Sequence, residues 1–373
     1  MDFTSLSSLL EQTDDNIQRH EQPLARAAID DRIEKKLDLD RTGKARLKAQ
    51  LGKINISEHD FAGAFLHFRN AGIHHNLLAA RVATCYLNLA LKFGDENLGS
   101  EIRNLEARQP DNPEISLVRG LFEISQFQDA QARNTFLSTT HSRLEHRSQI
   151  TEAHRRLAEL PLLNLSQKEN GIALATSHLH LEKLRDMDPA HPHIATLEGL
   201  LALSEGDLDR AIAIFEQRGI VSTPYNMMAV LGTTVAHLQH EEPYKQKRGT
   251  EWIRQSLEKI KPGTVLTHYL QLRARTLHSD DKEHTPIPLM LQRGIEQGKT
   301  HLLYIFLLAS LHPNYEAWPV ILEQLETNSI PFAKESLEMI LKDPAMLNSF
   351  ERPLLLREML CDEAPMRILE LNF

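Results

Sequence analysis

A spacing of small and large apolar residues recurs along the chain and restricts the folds that it can adopt. Gly199, Ala211 and Phe215 stand twelve and then four residues apart, with a Gly206-Asp207 turn between the glycine and the alanine. A small residue lets two helices approach closely, and a large one fills the gap between successive helix pairs. The pattern therefore predicts helix hairpins that stack on one another. The same spacing occurs in two earlier sets, Gly52, Ala64 and Phe68, and Gly120, Ala132 and Phe136.

The unit repeats every 34 residues from about residue 43 and weakens toward residue 260. One step from Gly52 leads to Tyr86, and a second leads to Gly120. The next step fails, because Leu165, the inferred lead residue of the following unit, is 45 residues from Gly120. By this interpretation residues 141–161 contain an extra or lengthened helical segment.

These features resemble the tetratricopeptide repeat, which has a small residue, an alanine twelve positions on, a large apolar residue four later and a proline near the unit's end. Pro110 and Pro189 close two of the units. The repeats are divergent, since Tyr86 replaces the small residue of its unit. The resemblance implies an all-α fold, a right-handed superhelical α-solenoid of stacked helix hairpins with a helical C-terminal region.

Three regions follow from this pattern. Residues 1–42 are expected to form an N-terminal helical cap or arm, residues 43–261 the repeat solenoid, and residues 262–373 a helical C-terminal region packed on the end of the solenoid. Within the last region the apolar periodicity predicts three helix pairs. They are 266–277 with 286–297, 301–311 with 315–327, and 331–341 with 346–361.

Composition limits the classes of protein to which the chain can belong. The formal net charge of −9 argues against a nucleic-acid-binding protein, which needs a basic surface. The most apolar run, residues 302–311, is half of the ~20 residues that a membrane span requires. Cys85 and Cys361 do not make a disulfide framework, and the N-terminus lacks the features of a signal peptide. We therefore expect a cytoplasmic protein without a membrane span.

No pattern of residues points to catalysis. The sequence contains no nucleophile elbow, dinucleotide fingerprint or kinase motif, so we expect that the protein is not an enzyme and needs no cofactor. Among the 19 histidines, only His237 and His240 have a spacing that would let them share a metal, and no further ligand motif accompanies them. We expect no metal site. An enzyme with an unrecognised site in residues 262–373 is an alternative.

The resemblance implies a concave groove lined by the first helix of each hairpin. Lys53 is the only cation at such a position in the first three units, so a clamp for a peptide carboxylate is not expected. An apolar groove either accepts a peptide or is filled by the chain's own N-terminal or C-terminal helices. The residues expected to line it are Ala83, Leu87, Ala90, Leu117, Leu121, Ile124, Thr196, Leu200 and Leu203.

The favoured function is that of a non-catalytic adaptor that recruits a protein or peptide through its concave face or its C-terminal end. The C-terminal end carries acidic residues such as Glu351 and Glu358, which would suit a basic partner. An alternative is a regulatory protein whose solenoid changes pitch when it binds a peptide. The identity of the partner and the oligomeric state do not follow from the sequence.

Overall fold

The computed structural model describes residues 6–19, 21–34, 40–75, 77–91, 95–163, 170–191, 193–219, 227–257, 266, 269–270, 272–273, 302–327 and 332–371. Every regular element within these ranges is a helix, which confirms the predicted all-α, solenoid-like fold of stacked hairpins with a helical C-terminal region. The α-helices are α1 (Leu6–Gln18), α2 (Gln22–Glu34), α3 (Arg41–Ser57), α4 (Phe61–His75), α5 (Leu78–Leu91), α6 (Asp95–Arg108), α7 (Pro113–Ser125), α8 (Asp129–Thr140), α9 (Arg147–Glu159), α10 (Asn170–Met187), α11 (Ile194–Glu205), α12 (Leu208–Gly219), α13 (Met227–Gln239), α14 (Pro243–Leu257), α15 (Leu302–Leu311), α16 (Trp318–Thr327), α17 (Ala333–Lys342) and α18 (Leu347–Glu363). The longest 3₁₀ helix, Ala364–Glu370, continues directly from α18.

The helices from α3 to α14 pack as hairpins in which each first helix contacts the second helix that follows it. The first helices also contact one another in order, α5 with α7, α7 with α9, α9 with α11 and α11 with α13. They therefore form a continuous inner row, as stacking of successive hairpins requires.

A glycine facing a phenylalanine sets the distance between the helices of a hairpin. A Cβ atom placed on Gly52 would lie 2.6 Å from the ring of Phe68. Gly120 and Gly199 face Phe136 and Phe215 in the same way, sixteen residues further on in each case. The ring of Phe215 also lies against Gly232 of the next hairpin, so it fills the gap between hairpins. The close approach predicted from the spacing is confirmed.

The hairpin turns repeat with the same register. Gly52, Gly120 and Gly199, which each face a phenylalanine sixteen residues further on, are called the lead glycines. Seven positions after each of them stands a residue with a left-handed backbone conformation. These residues are His59, Phe127 and Gly206, with φ of 56°, 59° and 81°. Only the last of them is the glycine that such a conformation favours, because a Cβ atom makes it costly by roughly 1 kcal/mol. The hairpins of α3 with α4 and of α7 with α8 therefore keep the left-handed turn although His59 and Phe127 stand where glycine would be favoured.

The break in the 34-residue period falls at the fourth hairpin, where the sequence predicts an extra or lengthened helical segment in residues 141–161. Helix α9 is the first helix of that hairpin and packs against α10, and a 3₁₀ helix adjoins each of its ends, Leu144–His146 before it and Leu160–Leu163 after it. The second helix of the hairpin, α10, has 18 residues. Leu165, the predicted lead residue, lies outside the described residues.

The N-terminal helices cover one end of the solenoid. Helices α1 and α2 pack on each other and on α3. Their buried apolar residues form a separate cluster with Leu47, Leu51 and Ile54 of α3. Lys53 of α3 is buried there, with its Nζ atom 3.0 Å from the carboxylate of Asp14. The cation predicted to face the groove is therefore paired with the N-terminal helices.

The C-terminal region is not placed as expected. The four helices of the second and third predicted pairs are present as α15 to α18, but they pair differently, since α15 packs on α17 and α18 and α16 packs on α17. Of the first predicted pair, most of 266–277 and all of 286–297 lie outside the described residues. Helix α18 contacts α5, α7 and α13, and residues 364–370 contact α3 and α5. The C-terminal segment, defined here as residues 347–370, therefore lies along the inner row of helices rather than on the end of the solenoid. None of the described helices combines the length and apolar character needed to span a bilayer.

Gly120→Ala is expected to destabilise the protein, because the added methyl group would overlap the ring of Phe136. Overpacking of this kind costs ~1–3 kcal/mol and outweighs the ~1 kcal/mol that alanine gains over glycine in a helix. Adding Phe136→Leu to the Gly120→Ala chain should restore part of the lost stability, because the smaller side chain leaves room for the methyl group. Urea denaturation measures the free energy of unfolding of each variant.

Alanine substitution of a lead glycine can be compared with substitution of a glycine that has free space around it. Gly206 has no atom within 4 Å of a built Cβ, and its left-handed conformation alone predicts a loss of ~1 kcal/mol. Phe136→Leu should not restore stability to Gly206→Ala. Equal rescue of both variants would contradict the role given to the glycine and phenylalanine contact.

Candidate interaction groove

All nine residues predicted to line the groove are buried. Those on α5 and α7 belong to helices that the C-terminal segment contacts. Those on α11 belong to a helix that packs on α9, on α13 and on residues 160–163. Of the two possibilities left open by the sequence, the described structure has the groove filled by the chain's own C-terminal helix. The nine residues are Ala83, Leu87, Ala90, Leu117, Leu121, Ile124, Thr196, Leu200 and Leu203.

The C-terminal segment is surrounded on all sides. Residues 354–361, which are more than two helical turns, are all buried. A helix buried around its whole circumference must have packing partners on opposite faces. Helices α5 and α7 provide one side, and α15 also contacts α18. The segment is therefore held between the solenoid and the preceding C-terminal helices.

Arg367 joins the end of the segment to the beginning of α7. Its Nε and Nη2 atoms donate to the two carboxylate oxygens of Glu114 over 3.1 and 3.0 Å, which makes a bidentate ion pair. Both side chains are buried, with 6% and 9% of their surface exposed. Arg367 also donates to Ser148 over 2.8 Å and pairs with Glu370.

Glu114 is held in place by residues of the solenoid as well. Asn112 caps α7 by accepting from the backbone N–H of Glu114, and Pro113 occupies the first turn. The Tyr86 hydroxyl donates to Glu114 over 2.7 Å, and Gln149 Nε2 donates over 3.0 Å. Burial and the charge of Glu114 raise the pKa of Tyr86 well above its usual value, so the hydroxyl keeps its proton. The carboxylate thus has protein donors besides Arg367.

Arg357 joins the same segment to the other end of α7. Its two Nη atoms each donate to one carboxylate oxygen of Asp129 over 2.8 Å, and Nη1 also donates to the backbone carbonyl of Ile124. Its guanidinium lies 4.4 Å from the ring centroid of Phe127, the residue with the left-handed conformation in the α7–α8 turn. The Phe127 ring also meets Phe332 edge-on, with centroids 5.5 Å apart.

The two arginines set the direction and register of the segment on α7. Arg357 binds the Ile124 carbonyl at the end of α7, whereas Arg367 binds Glu114 at its beginning, so the segment runs antiparallel to α7. Ten residues separate Glu114 from Ile124, which corresponds to ~15 Å along α7. The arginines are also ten residues apart, in a stretch that begins in α18 and ends in the 3₁₀ helix Ala364–Glu370.

A third buried pair joins the beginning of the segment to the chain before α15. Glu351 accepts from Arg273 Nε over 3.0 Å and from the Tyr269 hydroxyl. Glu351 and Glu358 are both buried. The prediction of an acidic surface for a basic partner is therefore wrong for Glu351 and Glu358, whereas Glu370, which belonged to the same prediction, is exposed.

Two clefts open beside the Arg367 contact. One has a volume of about 490 Å³ and the other about 500 Å³. Glu370 lines both, and Glu114 and Arg367 each line one. The end of the segment near residue 370 is therefore reached by solvent, in contrast to residues 354–361.

The histidines do not gather into a metal site in the part of the chain that the structure describes, where no group of three or more His, Cys, Asp or Glu side chains could hold an ion. His237 and His240 face different carboxylates, Glu216 at 3.4 Å and Asp209 at 3.5 Å. His180 instead meets His154 of α9, with their Nδ1 atoms 3.1 Å apart. Sequence spacing missed this pair because its members belong to different helices.

Comparison of the chain with protein-family models and with curated protein sequences finds no match. The function is therefore inferred from the geometry of the groove and of the segment within it.

Arg367→Met should lower the free energy of unfolding by ~3 kcal/mol, because it leaves the carboxylate of Glu114 buried without its cation. Glu114→Gln in the same chain should return part of that loss, since the amide carries no charge. A double-mutant cycle measured by urea denaturation tests this coupling. Strictly additive losses would show that the two side chains do not act as a pair.

The His154 and His180 pair should make stability depend on pH. Burial, together with His180, Lys183 and His141, lowers the pKa of His154 to about 4. Between that value and ~6.5, the pKa of an unperturbed histidine, the unfolded chain binds more protons, so stability falls as the pH falls. His154→Gln should flatten the melting temperature between pH 6.5 and 4. An unchanged pH profile would contradict the lowered pKa.

Proposed function

We propose that the chain is a non-catalytic interaction scaffold of tetratricopeptide-like type, whose inner groove binds a helical segment of a protein partner in exchange for its own C-terminal segment. The observation that carries the proposal is the C-terminal segment itself, a helix lying along α5 and α7 and bound at both ends of α7. Helix-in-groove binding is a recurring mode of peptide recognition.

The contact between segment and groove has the composition of a protein–protein interface. Its apolar centre contains Met359 and Leu360, and it is flanked by arginines that form bidentate pairs. Arginine is enriched in interfaces and in their energetic hot spots, whereas it is seldom fully buried within a domain core. This composition supports a contact that is made and broken.

The groups that receive the segment belong to the solenoid and do not need the segment for their position. Glu114 is held by Tyr86, Gln149 and the cap of α7. Asp129 stands in the first turn of α8, where a carboxylate is favoured by the helix dipole. A groove whose polar groups are already oriented pays little ordering entropy when a helix binds.

Binding of a second segment in trans tests the proposal. The full chain with Arg357→Ala and Arg367→Ala is mixed with a fluorescent peptide that has the sequence of residues 345–373. The variant should bind one peptide per chain with a Kd at least tenfold lower than the wild type, because its own segment competes less well. Fluorescence anisotropy gives both constants.

Two further variants identify where the peptide binds. The chain with Arg357→Ala and Arg367→Ala is called the opened chain below. Adding Asp129→Asn to it removes a groove carboxylate and should weaken its binding of the peptide. Ile172→Ala changes a side chain of α10 that is 78% exposed and should leave the Kd unchanged. If circular dichroism shows a folded opened chain that binds no peptide, the groove does not exchange its segment and the proposal fails.

A further inference from the structure

We infer that the partner segment is an amphipathic helix of another protein that carries two arginines ten residues apart and binds antiparallel to α7. This inference rests on the proposed function and specifies the chemistry of the partner. It is drawn from the groups that the solenoid presents to the C-terminal segment.

Both ends of the groove along α7 present a carboxylate. Glu114 stands at the beginning of α7, and Asp129 stands just beyond its end, together with the backbone carbonyl of Ile124. These groups would attract a cation at each end of a bound helix and repel an acidic one. The groove therefore selects a helix that is basic at two positions rather than a peptide carboxylate.

The geometry of the two contacts favours arginine over lysine. Glu114 and Asp129 each receive two nearly parallel N–H groups from one guanidinium, at distances from 2.8 to 3.1 Å. Lysine offers a single ammonium and cannot make such a pair. Phe127 adds an aromatic ring 4.4 Å from the guanidinium of Arg357, which favours the flat arginine side chain further.

The spacing and the apolar positions complete the description of the partner. In the C-terminal segment the two arginines are ten residues apart, and they reach Glu114 at one end of α7 and the Ile124 carbonyl, with Asp129 beside it, at the other end. A partner that follows the same path, an α-helix ending in a 3₁₀ turn, therefore needs the same ten-residue spacing. Between the arginines, Met359, Leu360 and Ala364 are almost fully buried. The partner helix should therefore carry apolar residues two, three and seven positions after its first arginine.

A series of designed helical peptides tests the inference on the opened full chain, Arg357→Ala with Arg367→Ala. The reference peptide has two arginines ten residues apart and apolar residues at the three stated positions. One relative replaces both arginines by lysines, and another places the arginines seven residues apart. The reference peptide should bind at least tenfold more tightly than either relative, as measured by anisotropy.

Asp129→Asn on the opened chain gives the matched control. It should reduce but not abolish the preference for the arginine peptide over the lysine peptide, because the second arginine still faces Glu114. Equal binding of all three peptides would overturn the arginine inference while leaving the proposed function intact. Failure of both these peptides and the peptide of residues 345–373 would instead overturn the proposed function.

Two other results are decisive. If the opened chain forms dimers in light scattering and binds no peptide, the occupant is a second copy of this chain and the inference is wrong. If the opened chain does not fold, hydrogen exchange of residues 354–361 in the wild-type chain replaces anisotropy. Excess reference peptide should then raise exchange in these residues at least fivefold and the lysine peptide should not, whereas equal effects would overturn the inference.

Discussion

The first helices α5 and α7 carry large apolar side chains, and the need to cover them governs where the C-terminal segment lies. Leu87 and Leu121 sit on helices that stack side by side, so their outward faces would form a long apolar trough if nothing lay over them. A trough of that kind is an aggregation hazard in a soluble chain. The C-terminal segment removes the hazard, and it does so with a helix buried all round between α5, α7 and α15.

The hairpins could be predicted because their closest contact is between residues near one another in sequence. The lead glycines and their phenylalanines are sixteen residues apart, and a local pattern of that length can be found in a single sequence. A helical segment was predicted in residues 141–161, but it was not recognised as the first helix of a hairpin, for a physical reason. Helix α9 contains Arg155, Arg156 and Glu159, all buried and joined in ion pairs within one helix. A pattern that assigns charged residues to solvent does not recognise such a helix as part of the inner row.

The residues predicted to line the groove are all buried, but the C-terminal segment that packs on their helices could not be assigned from the sequence. Asp129 and Arg357 are 228 residues apart in the sequence, and Glu114 and Arg367 are 253 apart. No local periodicity joins positions at such separations. One signal was present, because Arg357 and Glu358 interrupt an otherwise apolar run from residue 354 to residue 361. A charge within a stretch too apolar for the surface indicates a buried partner of opposite charge.

The ion pairs at the two ends of α7 are better explained by register than by stability. A buried ion pair gains little over well-packed apolar residues, because both charges lose their hydration. Apolar side chains along a groove, however, tolerate a shift of one helical turn, which moves a helix by ~5.4 Å. Such a shift would separate Arg357 from Asp129 and Arg367 from Glu114 together, leaving the three buried charges, those of Arg357, Arg367 and Glu114, without their ion-pair partners. The two arginines therefore fix the position of the C-terminal segment along α7, which apolar contacts alone would leave free to shift.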